Sequence, residues 1–147
     1  MQLQIREFNE TDRGDLRKLY LEVRRQSFGW LEKDNFIKDT FDRDTEGETV
    51  LVAVNGSEII GFISVCPQEN FIHHIYVATA YQRQGVGEAL LRSVRDLVEY
   101  PVRLKCLQNN TGAVEFYKKG GWIPKNLGIS AEGIYILFEL QKEIVYS

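Results

Sequence analysis

The stretch FIHHIYVATAYQRQGVGEALL, residues 71–91, constrains the fold more than any other part of this chain. Phe71 to Ala78 is apolar at most positions on both faces, the pattern of a strand buried on both sides in the middle of a sheet. A short polar turn follows, then Gly85 and Gly87 two positions apart, then apolar residues at helical spacing. The stripe Val86, Leu90, Val94, Leu97 and Val98 packs that helix on the sheet, with Arg92, Arg95 and Asp96 turned outward and Pro101 as its stop. A chain built around this unit needs covering layers on both faces of its central strand.

The junction also has a chemical reading. The first turn of a helix leaves backbone N–H groups without partners and carries partial positive charge, so it suits an anion such as phosphate. Gly85 and Gly87 let the backbone approach a bulky ligand, and Gln82 and Arg83 add donors at the mouth of the loop. The plainer alternative is that the two glycines only shape a tight strand-to-helix turn. A dinucleotide fingerprint needs a third glycine where Leu90 stands, and the chain contains no Gly-Lys-Ser/Thr run for a nucleoside triphosphate.

Around this unit the remaining segments read as strands and helices in the order βααβββαβαββ. LQIREF alternates like a strand, and TDRGDLRKLYLEVRRQ follows with Leu16, Leu19, Tyr20 and Val23 at helical spacing behind a Thr11/Asp12 cap. SFGWLEKDNFIKDTF predicts a second short helix, and DRDTEGE an exposed loop. TVLVAV and EIIGFISVC predict a hairpin turning at Asn55-Gly56. VRLKCL is the next strand, NTGAVEFYKKGG the last helix, and WIPKNLGI and GIYILFEL the closing strands. The 147 residues suit one domain spanning 1–147. A net charge of -3 gives no global basic field for nucleic acid or an anionic membrane. Cys66 and Cys106 sit among apolar neighbours and read as buried reduced thiols rather than a disulfide or metal site, which fits a cytoplasmic protein. MQLQIREF is not a signal peptide, and no apolar run approaches a membrane span.

Two separate motifs, in order, resemble the GNAT superfamily of acyl-CoA-dependent N-acyltransferases, and the likeness covers nearly the whole chain. Gln82-Arg83-Gln84-Gly85-Val86-Gly87 is similar to the family's signature after its fourth strand. Asn110, Ala113, Phe116, Tyr117, Lys119, Gly121 and Trp122 are similar to its later Asn-x-x-Ala-x-x-Phe-Tyr-x-Lys-x-Gly-aromatic segment. The resemblance implies an α/β (α+β) fold with a mixed, mostly antiparallel sheet splayed between its fourth and fifth strands, where acetyl-CoA enters. It implies that pantetheine pairs with backbone groups near Ile75 and Val77, that pyrophosphate rests on the N–H groups from Gln82 to Gly87, and that Asn110 bonds the pantetheine arm. Lys119 is either a contact to the adenosine phosphates or a solvated lysine.

The implied reaction is direct attack of an amine on the thioester, with no metal and no enzyme nucleophile. The acceptor ammonium must lose a proton and the departing thiolate must gain one. Tyr117 stands at the family's general-acid position; its alternative role is a core tyrosine. His73 and His74 are the only histidines, and neighbours on a strand face opposite ways. His73, on the nominal face of Val77, matches a strand position where arylalkylamine-acetylating members carry a proton-relaying histidine. A strand bulge would present His74 instead, and ordered water is a third route. The acceptor, a small amine, amino acid or peptide, would enter between the first helices and the last hairpin, past Phe28 and Trp30, which read equally as packing aromatics. Homodimerisation stays open. The competing readings are an acyl-CoA-binding module without turnover and a nucleotide-dependent enzyme.

Overall fold

The computed structural model describes residues 1–27 and 40–142. Strand β1 (Leu3–Glu7) leads into helices α1 (Arg13–Ser27) and α2 (Thr40–Asp44). Strands β2 (Thr49–Asn55), β3 (Glu58–Cys66) and β4 (Phe71–Val77) follow, then α3 (Val86–Ser93), β5 (Val102–Leu107), α4 (Thr111–Lys119), β6 (Ile123–Ser130) and β7 (Gly133–Leu140). The strands form one seven-stranded sheet in the order β1-β2-β3-β4-β5-β7-β6, with β4 at its centre. Every pairing is antiparallel except that of β4 with β5.

The doubly apolar central strand is covered as its sequence requires. On one face Leu16, Leu19, Tyr20 and Val23 of α1 and Phe41 of α2 pack on Val52, Val54 and Phe62. On the other, Val86, Leu90 and Leu91 of α3 and Tyr117 of α4 pack on Ile63, Val65, Ile72, Leu104 and Phe138. The element order agrees with the sequence reading throughout.

Four local expectations need correction. The first helix is capped by Asn9, not by Thr11 and Asp12. Asn9 accepts from Thr11 N at 3.1 Å, while Asp12 accepts from Asn9 N at 2.8 Å and holds both Arg6 terminal nitrogens at 2.8 and 2.9 Å. This box closes a 3-10 turn over Glu10–Asp12, which pushes the α-helix start to Arg13. Second, α2 runs into Asp42–Asp44, where a loop was expected, and Asp42 is tied to Arg13 and Arg17 of α1; most of the helix predicted before it, including Phe28 and Trp30, lies outside the described residues. Third, Asn55 pairs with Glu58, so the hairpin turns on Gly56 and Ser57, with Gly56 at φ 62°. Fourth, α3 stops at Ser93 instead of continuing towards Pro101. Ser93 Oγ donates to Leu90 O at 2.6 Å, and the chain continues in tight turns that still bury Val94 and Val98.

Candidate active site

The parallel ladder between β4 and β5 lasts two pairs, Phe71 with Arg103 and Ile72 with Leu104. Beyond them the strands part. On its other side β4 stays paired with β3, and Ala78 N donates to Ile60 O at 2.8 Å. Backbone groups alternate along a strand, so those of Ile75 and Val77 face the opening. The Val77 carbonyl there accepts from Gln82 Nε2 at 3.0 Å. Gln84 Nε2 likewise donates to Ala80 O at 3.0 Å. These two side chains brace the loop rather than extend from it, and the Gln82 N–H is turned to Thr79 O at 3.3 Å, so of the pair only the Gln84 N–H remains for a ligand.

At the far end of the opening α3 begins. Its first intrahelical bond runs from Ala89 N to Gly85 O at 3.0 Å, which leaves the N–H groups of Val86, Gly87 and Glu88 as first-turn donors. Residues 82–85 are exposed, whereas the Val86 side chain is core, so Val86 offers only its backbone. The glycines have distinct local reasons. Gly85 sits at φ 85° with open space where a side chain would point. A Cβ on Gly87 would meet the Phe116 ring at 3.3 Å, so that glycine also seats α4 against α3. Arg83 adopts φ 64°, a left-handed conformation uncommon outside glycine. Unpaired strand edge, bare glycine and first-turn donors together fit a thin polar arm ending in a pyrophosphate.

Asn110 caps α4, its Oδ1 accepting from Ala113 N at 3.3 Å, so only its amide nitrogen is left for a pantetheine arm. Lys119 is exposed. Tyr117 is 6% exposed, between Phe116, Trp122 and Phe138, with ring centroids 5.3–5.9 Å apart. Burial, with Cys106 of β5 and Tyr76 of β4 adding to it, pushes its phenol far above the ordinary range. Those two neighbours stand on β5 and β4, the strands that flank the opening. Burial also lifts the Cys106 thiol to about 11, so it is protonated and inert at neutral pH.

The histidines depart from simple alternation. Ser64 pairs with His74 and Val65 with Ile72, so His73 is an extra residue, a bulge in β4. Its ring centroid lies 6.1 Å from that of His74, too close for side chains on opposite faces. Both rings turn to the α1 side, and the expectation that His73 shares a face with Val77 is overturned. His73 Nδ1 touches the Glu48 carboxylate, whereas His74 Nδ1 lies 2.7 Å from Ser64 Oγ. Burial pushes His74 down to about 4. A folded pKa below the unfolded 6.5 stabilises the fold above that pH and loses the contribution as pH falls towards 4, a loss of about 3 kcal/mol. In urea unfolding at pH 7 and 4.5, His74→Gln should therefore lose less stability on acidification than the parent; equal losses would contradict this.

Sequence reading missed the groups around the histidines. Arg24 of α1, 8% exposed, donates to Glu132 on the β6–β7 hairpin at 2.8 Å and lies 3.5 Å from the hydroxyls of Tyr20 and Tyr76. Tyr20 donates to Asp44. The first helix and the last hairpin are thus joined across the α1-side mouth of the opening. A cavity of about 510 Å³ lies on the same side, between Phe8, Phe41, Val50 and the 45–48 turn, and Glu48 belongs both to its wall and to the histidine pair. Glu48 carried no sequence signal, because it stood in a charged run read as solvated loop.

A family model for the acetyltransferase (GNAT) domain matches residues 29–138. The chain belongs to the GNAT family. It is an N-acetyltransferase of a family that uses acetyl-CoA, and its splayed sheet is that fold. Solved GNAT-like structures share it at low identity. Apo YjaB from Escherichia coli superposes with a TM-score of 0.80 at 16% identity, covering 95% of this chain and 97% of that one. The PaiA N-acetyltransferase from Thermoplasma acidophilum, in complex with coenzyme A, gives 0.76 at 17%, covering 95% and 100%. The ribosomal-protein-S18-alanine N-acetyltransferase from Escherichia coli gives 0.70 at 19%, covering 98% and 96%. Among the described residues of this GNAT chain, no group of three or more His, Cys, Asp and Glu is arranged to hold a metal ion, and no helix is long and apolar enough to cross a membrane.

Proposed function

We propose that the chain, acting as one catalytic domain, transfers an acetyl group from acetyl-CoA directly to a primary amine. The observation that carries this reading is the β4 edge at Ile75 and Val77, which β5 leaves unpaired, with the α3 first turn at one end. Acetyl-CoA supplies the activated acyl carbon as a thioester. Ile75 and Val77 hold its arm as an added strand would be held, and Asn110 adds its amide nitrogen. The Gln82 N–H is turned to Thr79 O, so the backbone N–H groups from Arg83 to Gly87 receive the pyrophosphate, and Arg83 adds positive charge.

On the opposite side of the sheet His73 takes a proton from the acceptor's ammonium. Tyr117 gives its own to the departing sulfur. Of the two protons the nitrogen loses, one leaves through His73 to water, which its 38% exposed side chain reaches, and the other restores the Tyr117 phenol, whose own proton is then on the CoA thiol. Burial keeps a proton on the phenol for the acid role, and a neutral imidazole suits the base role.

The test is thiol release from acetyl-CoA across a panel of arylalkylamines, amino acids and peptides. Because one structural neighbour is a ribosomal-protein-S18-alanine N-acetyltransferase, an alanine-terminated peptide belongs in that panel. CoA should raise the melting temperature, by an amount equivalent to about 2.7 kcal/mol at 100 times Kd, and ATP should do so far less. Stabilisation by CoA with no turnover of any amine would favour a binding module; equal shifts with ATP would favour a nucleotide enzyme.

A further inference from the structure

Glu48 is the buried acid next to the proposed base. It precedes β2, yet its carboxylate reaches across the sheet to β4, and its side chain is 6% exposed. One oxygen, Oε2, touches His73 Nδ1. The other, Oε1, stands 3.8 Å from His74 Nδ1 and has no hydrogen-bond partner among the described residues. His74 Nδ1 is already engaged by Ser64 Oγ. The carboxylate therefore has one ring to serve, and the β4 bulge has turned that ring towards it.

We propose that Glu48 is a positioning residue for His73: its carboxylate accepts the Nδ1–H, fixes the tautomer that leaves Nε2 bare, and lies beside the imidazolium formed when Nε2 takes the acceptor's proton. The inference rests on His73 as the base. The physical need is plain, because the other charged groups near the histidines act unevenly. Burial, His74 on the same strand and Lys105 of β5 all press His73 below its ordinary value. Asp44 of α2, Arg24 of α1 and Glu132 of the hairpin bear on His74 instead. Glu48 is the only carboxylate among the described residues in contact with His73, and an ionised carboxylate so placed favours an imidazolium. A carboxylate that accepts from one imidazole nitrogen so that the other can work is a recurring arrangement at catalytic histidines.

The decisive measurement needs no variant. With only two histidines in the chain, nitrogen-15 imidazole spectra give two sets of signals. His73 is assigned through its contact with the Phe71 ring, 5.0 Å between centroids. At neutral pH the His73 proton should sit on Nδ1, with Nε2 bare. In Glu48→Gln the proton affinity of His73 should fall by about tenfold, one pKa unit. The acid limb of the pH–kcat profile should move down with it, turnover on the plateau should fall severalfold, and the KM for acetyl-CoA should hold. An Nε2–H tautomer in the parent, or an unchanged His73 titration in folded Glu48→Gln, overturns the proposal. Failure of His73 as base reads differently: His73→Gln would keep parental turnover although the parent shows the expected tautomer, and the assignment on which this inference rests would fall.

Discussion

Tyr117→Phe should lower kcat by about 10²–10⁴, the usual range for loss of a general acid, while the KM for acetyl-CoA stays near the parental value. The substitution keeps the ring among Phe116, Trp122 and Phe138, so packing survives and only the hydroxyl is lost. The alternative role, a core tyrosine, predicts a small change in stability and none in turnover. The two readings separate in one experiment, since kcat and unfolding free energy are measured on the same variant. Burial holds the parent's phenol protonated across the working range, so no alkaline limb from Tyr117 should appear below pH 10. A Tyr117→Phe enzyme with parental kcat would remove the residue from the mechanism.

Gly85→Glu should abolish the CoA-dependent rise in melting temperature. At φ 85° any side chain is strained by roughly 1–2 kcal/mol, so loss of stability alone would prove nothing. Gly85→Ala supplies the control. It carries the same backbone strain, and its methyl meets open space, so it should be destabilised to a similar degree yet still respond to CoA. Glutamate adds a negative charge where pyrophosphate would sit and competes for the same first-turn donors. If Gly85→Glu remains folded and responds to CoA as Gly85→Ala does, the anion site lies elsewhere. Gly87 is a poorer probe, because a side chain there also pushes on Phe116.

The order of elements was legible because each strand and helix carries a periodic apolar pattern that its packing satisfies. Phe71–Val77 reads as central for the same reason that it is central: both faces need cover. The errors fall where a side chain outbids the backbone pattern. Ser93 turns its hydroxyl on Leu90 and ends α3 while the apolar stripe continues. Asn9 and Asp12 close a 3-10 turn that the helical pattern does not show. At the site, motif alone singled out Tyr117, Asn110 and the glycine loop as candidates, and the loop's backbone conformation suits an anion. The Gln82 side chain, read as a donor at the mouth of the loop, meets the local Val77 carbonyl instead, as a long amide near a sharp turn readily does, and the Gln84 side chain does the same at Ala80. Arg24, Glu132 and Glu48 escaped notice because each looks like an ordinary surface charge until distant segments meet.

The extra residue in β4 reaches beyond this one chain. Alignments number residues along a string, whereas a sheet sorts them by side, and one inserted position separates the two schemes. Two relatives matched column by column at His73 would present that column to opposite sides of the sheet if only one of them had the bulge. Comparisons of catalytic histidines between such proteins should therefore be made on paired positions across β3, where Ser64 marks His74 and Val65 marks Ile72. A missing histidine in a column is then no sign of a missing base, nor is a shared one a sign of shared chemistry.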